Sequence, residues 1–266
     1  MESQEIIGYI GALLIGVVLG LVGGGGSILT VPVLVYILAI EPVMATAYSL
    51  FVVGTAAAVG AISNIRKGLV DLRIAIIFAI PAFIAVYLTR RFLIPAIPDP
   101  LGQIGELIIG KDMAIMLLFA VIMLISSYSM IKDQKKPVES LEGRKKLNIG
   151  VILLEGTAVG LVTGIVGAGG GFLIIPALVL LAGLPMKTAV GTSLLIIAFK
   201  SLIGFIGDVQ NMVIDWVFLV GFTTLAVLGI LIGIYMSGFI EGKKLKKAFG
   251  YFTLIMSFYI LWKELF

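Results

Sequence analysis

Apolar residues run in long blocks, near 6–22, 27–40, 44–63, 72–93 and 112–131, and again near 147–166, 171–184, 187–207, 214–238 and 247–265. Polar and turn-forming residues gather between the blocks, and the pattern reads as about ten helical segments. Most blocks are long enough to cross roughly 30 Å of hydrocarbon at about 1.5 Å per helical residue. The pattern predicts an all-α polytopic membrane protein in two five-segment halves, 1–131 and 147–266, joined by a charged linker, 132–146. Two blocks are short. Ser27–Ala39 gives only about 20 Å of helix, so each short block and the one before it read as a re-entrant hairpin or broken helix.

The halves repeat each other. Gly20–Val35, GLVGGGGSILTVPVLV, returns at Gly164–Val179 as GIVGAGGGFLIIPALV, with 9 of 16 positions identical and an offset of 144 (164 − 20). The same offset relates Ser49-Leu50 to Ser193-Leu194, Gly60 to Gly204, and Asp71 to Asp215. Five segments per half is an odd number, so the second half must enter the membrane from the opposite side, making the repeat an inverted one. Duplication of this kind commonly places a transport site between the halves.

Composition supports a lipid environment. Hydrophobic residues are 60% of the 266 and charged residues 13%, against roughly a quarter charged in soluble domains; mean hydropathy is +1.19. There is no cysteine and no histidine. Disulfides and thiolate metal sites are excluded, the commonest metal ligand and proton shuttle are missing, and no cofactor is implied. Glu2 and Glu5, where a basic run would stand, argue against a cleavable signal. The net charge of +4 comes from Lys and Arg in short connections, which points to membrane orientation and not to nucleic acid. Arg66, Lys67 and Arg73, the basic residues between Lys135 and Lys146, and Lys243, Lys244, Lys246 and Lys247 all fall on one side, predicted cytoplasmic. Both termini, the Asp208–Asp215 connection and the Pro-rich stretch 94–111 then lie outside.

The glycine turns carry candidate chemistry. Gly23, Gly24, Gly25 and Gly26 remove every β-carbon from the first turn, and Gly167, Gly169, Gly170 and Gly171 leave only that of Ala168 in the second. Backbone can then approach a ligand closely, and the helix that follows offers free N–H groups and a positive dipole end to an anion. Tight helix packing is the competing use of such glycines. Ser27, Ser49, Thr192 and Ser193 are hydroxyls near the turns, able to donate to a ligand oxygen or to bond back to a helix carbonyl.

Both turns, each with its following proline (Pro32, Pro176), the Ala-x-x-x-Ser-Leu elements Ala45–Leu50 and Ala189–Leu194, and the aspartates of Val70-Asp71 and Ile214-Asp215 together resemble the sulfite exporter TauE/SafE family. The resemblance spans nearly the whole chain. It implies a multi-spanning carrier of sulfite, organosulfonates or related sulfur anions across the cytoplasmic membrane. The first half departs from the pattern, with Tyr48 where the second half has Thr192.

Two charges stand inside apolar blocks. Glu155 lies midway along LNIGVILLEGTAVGLVTG and Lys200 within TSLLIIAFKSLIGFIG. Each costs at least ~2.5–3.5 kcal/mol on insertion scales, so each needs a partner or a task. Either they pair, or Lys200 snorkels to the surface, or Lys200 attracts an anion while Glu155 carries a coupling proton. Asn64 and Asp208, also at the 144 offset, are expected to cap the third and eighth segments.

A secondary transporter exporting a small sulfur oxyanion is the leading function, with an uptake carrier for thiosulfate, sulfate or a carboxylate, or an anion channel, as alternatives. A membrane enzyme would need a nucleophile–base pair or a metal cluster, for which a chain without His or Cys offers poor material.

Overall fold

The computed structural model describes residues 2–104, 107–132, 149–180, 182–239 and 242–265. Ten helical segments follow in order: α1 (Glu2–Val22), α2 (Gly26–Ile37), α3 (Pro42–Arg66), α4 (Leu72–Ala96), α5 (Lys111–Ile131), α6 (Ile149–Val166), α7 (Gly171–Leu180), α8 (Met186–Val209), α9 (Trp216–Met236) and α10 (Gly242–Leu265). The expected linker, apart from Lys132, lies outside the described residues. Six of these segments, α1, α3, α4, α5, α8 and α9, are long and apolar enough to cross a membrane. The fold is all-α, with one small addition that the hydrophobic pattern does not announce. Within the 94–111 connection, β1 (Gly102–Ile104) pairs antiparallel with β2 (Leu107–Ile109), Gly102 opposite Ile109.

The two short blocks are short helices. α2 begins inside a 3-10 run, Gly23–Leu29, makes one α turn at Thr30–Pro32, and ends in a π turn at Val33–Ile37. Glycines hold the backbone only weakly to α geometry, and Pro32 lacks the N–H that a regular ladder would use. At about 1.5 Å per residue neither α2 nor the ten residues of α7 spans a bilayer alone.

Packing joins the halves throughout. α1 lies along α9 and α6 along α4, so the first helix of each half packs on the fourth helix of the other; α3 lies along α8, and α5 along α10. Individual contacts recur 144 residues on with the halves exchanged. Gly16 abuts Ala226 as Gly160 abuts Ala82; Gly60 meets Leu194 and Ile230 as Gly204 meets Leu50 and Val86. Small residues at these crossings let the helix backbones come close, which is the main source of association where lipid tails are as apolar as leucine.

Outward faces are apolar. Leu72, Ile76, Ile80, Ile84 and Leu88 form an exposed ridge along α4, and Ile6, Ile10 and Leu14 one along α1. Spacing of four keeps each ridge on one side of its helix, and such continuous apolar surface fits lipid.

Candidate functional site

The second glycine turn links α6 to α7. Gly167 and Gly170 adopt positive φ (71° and 70°), a conformation that glycine enters without strain. Gly167 N–H bonds back to Thr163 O at 2.9 Å, and the amides of Leu173 and Ile174 both reach Gly170 O at 3.0 Å. Between these, the N–H groups of Ala168, Gly169 and Gly170 have no backbone partner among the described residues. The positive end of α7 and three free amides thus meet at this turn.

The first turn crosses it at contact distance. Gly24 and Gly171 approach so closely that a β-carbon on either would collide with the Cα of the other, and a β-carbon at Gly169 would stand 3.0 Å from Ser27 Cβ. Here the need for glycine is volume, not only φ. α3 and α8 then frame the pair. Gly23 is covered by Val190 of α8, and Gly167 by Thr46 of α3, the residue 144 positions earlier.

Lys200 reaches the second turn from α8. It is fully buried, and its Nζ would stand 2.9 Å from a β-carbon on Gly170. Nζ donates to Thr163 Oγ1 at 2.7 Å, and Thr163 in turn donates to Val159 O at 2.7 Å. No carboxylate lies within ion-pair reach of Lys200 among the described residues. An ammonium has three donors, so the charge remains largely unanswered.

Of the three readings of these two charges, that arrangement rules against the Glu155–Lys200 pair. Glu155 sits two turns before Thr163 on α6, about 12 Å along the axis, and its side chain is only half-buried. Snorkelling is also excluded, because Lys200 points inward. Nor do Asn64 and Asp208 cap their helices. Asn64 Nδ2 donates to Gly60 O at 2.9 Å within its own helix, and the Asp208 carboxylate, almost fully buried, faces Arg90 at 3.5 Å.

The four hydroxyls separate into three kinds. Ser27 donates to Gly24 O at 2.7 Å and Ser193 to Val190 O at 2.8 Å, both back-bonds within their own segment. Thr192 Oγ1 accepts the Asp71 N–H at 2.9 Å, while Tyr48 OH accepts the Asp215 N–H at 2.8 Å. These are the same bond made twice with the halves exchanged. Each aspartate also caps its helix, accepting from Ile74 N and Phe218 N respectively at 3.0 Å. Ser49 Oγ, fully buried, has no partner among the described residues. It shares a face of α3 with Thr46 and Val53, three residues before and four after, and those two cover Gly167 and Gly169.

Arg90 is the buried cation that the sequence reading missed. It ends an apolar block, where a charge reads as the start of a loop, yet it is fully enclosed. A neighbouring Arg91 that does reach solvent, bonding Asn211 Oδ1 at 3.2 Å, strengthens that misreading. A cleft of about 230 Å3 between α3 and α9, lined by Phe51, Thr55, Val220, Thr223, Thr224 and Val227, does not include the turns.

The family model of the sulfite exporter TauE/SafE matches residues 9–260. The chain belongs to the TauE/SafE family. Two relatives, each 30% identical over 275 residues and covering 99% of this chain and 98% of their own length, are probable membrane transporter proteins of Xylella fastidiosa strains 9a5c and Temecula1. No solved structure matches. Membership makes this TauE/SafE chain a multi-pass membrane transporter and not an enzyme, in agreement with the sequence reading.

Proposed function

We propose that the chain is a secondary carrier that exports a small sulfur oxyanion, sulfite or a short organosulfonate, across the cytoplasmic membrane by alternating access. The observation that carries this is Lys200, a fully buried ammonium without a carboxylate among the described residues, set against Gly170 at the positive end of α7. A cation held in a protein interior within a bilayer is expensive, and an anionic ligand would offset that cost. Free amides at the turn and the dipole of α7 add donors, and the Ser49 hydroxyl, without a partner among the described residues, can donate as well. Gly167, Gly169, Gly170 and Gly171 with Lys200 and Ser49 would line the ligand. Gly23, Gly24, Gly25 and Gly26 with Ser27 would form the opposing wall, and Thr192 and Ser193 would hold that wall in place. The choice of sulfur rests on the family.

An inverted repeat fits the exchange of contacts at the 144 offset, because a two-fold axis in the membrane plane turns each contact into its partner. Both termini would lie outside, following the basic connections. Counterflow in proteoliposomes tests the proposal: external sulfite should drive saturable efflux of labelled sulfite from wild-type vesicles. An ohmic anion current instead would make the protein a channel, and flux of none of these anions would overturn the assignment.

A further inference from the structure

The proposed ligand site does not use Arg90. Its Nη1 donates to Thr46 Oγ1 at 2.9 Å and stands 3.5 Å from Asp208 Oδ2. Nε and Nη2 have no hydrogen-bond partner among the described residues, and neither has Asp208 Oδ2. The ion pair is therefore a charge contact on one nitrogen and not a fork. Arginine presents five N–H donors in a plane, and the Nε–Nη2 edge is one that matches two oxygens of a single oxyanion. In Arg90 that edge is bare and fully enclosed, where an unmade bond to a charged donor is costly. A pair built only for structure would turn the fork toward its carboxylate; here Asp208 sits on the opposite side and shares Nη1 with Thr46.

Two buried hydroxyls stand on the neighbouring stretches of chain. Thr89 Oγ1, on the residue before Arg90, is buried and partnerless. Ser49 Oγ is also partnerless, one helical turn along α3 from Thr46. Thr46 itself covers Gly167, the opening residue of the second turn. Hydroxyls can accept as well as donate, so the bare Nε–Nη2 edge of Arg90 is the group here that only an acceptor can answer, and an oxyanion consists of acceptors.

We propose that the Nε–Nη2 edge of Arg90 is a second oxyanion subsite, distinct from Lys200, with Asp208 as an internal counter-ion that competes with the bound anion. The ligand class is a compact anion with two or more oxygens on one centre. The inference rests on the oxyanion-carrier reading above and adds a position to it. Calorimetry with sulfite on the purified full-length chain tests it. Arg90→Lys keeps the charge, loses the fork, and should weaken binding about tenfold. Asp208→Asn removes the competitor and should tighten binding by about the same factor. If Arg90→Lys does not fold, Asp208→Asn decides alone, because a merely structural pair gives no gain in affinity, and unchanged or weaker binding overturns the subsite. Lys200→Met should retain weak binding that the added Arg90→Lys abolishes. Wild-type affinity in both Arg90→Lys and Asp208→Asn, with loss in Lys200→Met, would sink the second subsite and leave the carrier intact; no sulfite binding by the wild type would sink both.

Discussion

The Thr192 hydroxyl accepts the backbone N–H of Asp71 at 2.9 Å, across the boundary between the halves. Asp71 begins α4, so the bond fixes the entry of one half's fourth helix to the third helix of the other. Tyr48 makes the reciprocal bond to Asp215 at 2.8 Å. The departure from Thr at position 48 is thus a change of reach and not of role. The tyrosine ring stacks on Phe218, 5.9 Å between centroids, and so brings its oxygen to the same kind of amide.

Removing either acceptor should cost similar stability. Tyr48→Phe and Thr192→Val each leave an amide without its bond, on the order of 1–3 kcal/mol where the site is dry. Melting of the detergent-purified variants should fall by comparable amounts while membrane insertion is unchanged. A large loss in only one of them would show that the two bonds are not equivalent.

Gly169→Val and Gly171→Val should abolish flux. A β-carbon at 171 meets the backbone of Gly24, and one at 169 meets Val53, Ser27 and Ile197. Insertion should survive, because membrane integration depends on the hydropathy of the segments and not on this crossing. Counterflow in vesicles carrying quantified protein is the measurement, and wild-type flux would reduce the turns to packing.

Lys200→Met should lower sulfite counterflow at least about tenfold, the loss expected for one charge-assisted contact, with the fold retained. Exchanging the charges, Lys200→Glu with Glu155→Lys, should not rescue transport, because the two groups do not meet. Recovery of flux in the exchanged protein would mean that they pair in another state of the cycle.

Topology can be read chemically because the chain has no cysteine. Lys67 and Gln210 are both exposed, one after α3 and the other after α8. With membrane-impermeant maleimide on intact cells, Gln210→Cys should label and Lys67→Cys should label only after permeabilisation. Labelling of both, or the reverse pattern, would contradict the inverted arrangement with cytoplasmic basic loops.

What the sequence disclosed follows from what hydropathy and identity can encode. Segment boundaries were legible because lipid demands long apolar runs. The crossing turns were legible because the same glycines recur at a fixed offset. Lys200 stood out because a charge amid apolar residues is rare. Arg90 was hidden by its place at the end of a block, where burial depends on what packs over it, here α3 and α8. The roles of Thr192 and Tyr48 were hidden for a different reason, since their partners are backbone amides and leave no trace in residue type. Ser27 and Ser193 take the second of the two uses open to them, because a serine in a helix most readily bonds the carbonyl behind it.

Gly24 and Gly171 meet without any side chain between them. A crowded pair elsewhere can absorb a larger residue on one side by taking a smaller one on the other. Glycine has nothing to give up, so no second change at either position offsets a first. Any rearrangement of the two halves that keeps this crossing intact must turn about it like a fulcrum, since the backbones have no slack to slide apart side chains that are not there. The contact is therefore among the least substitutable points of the described residues.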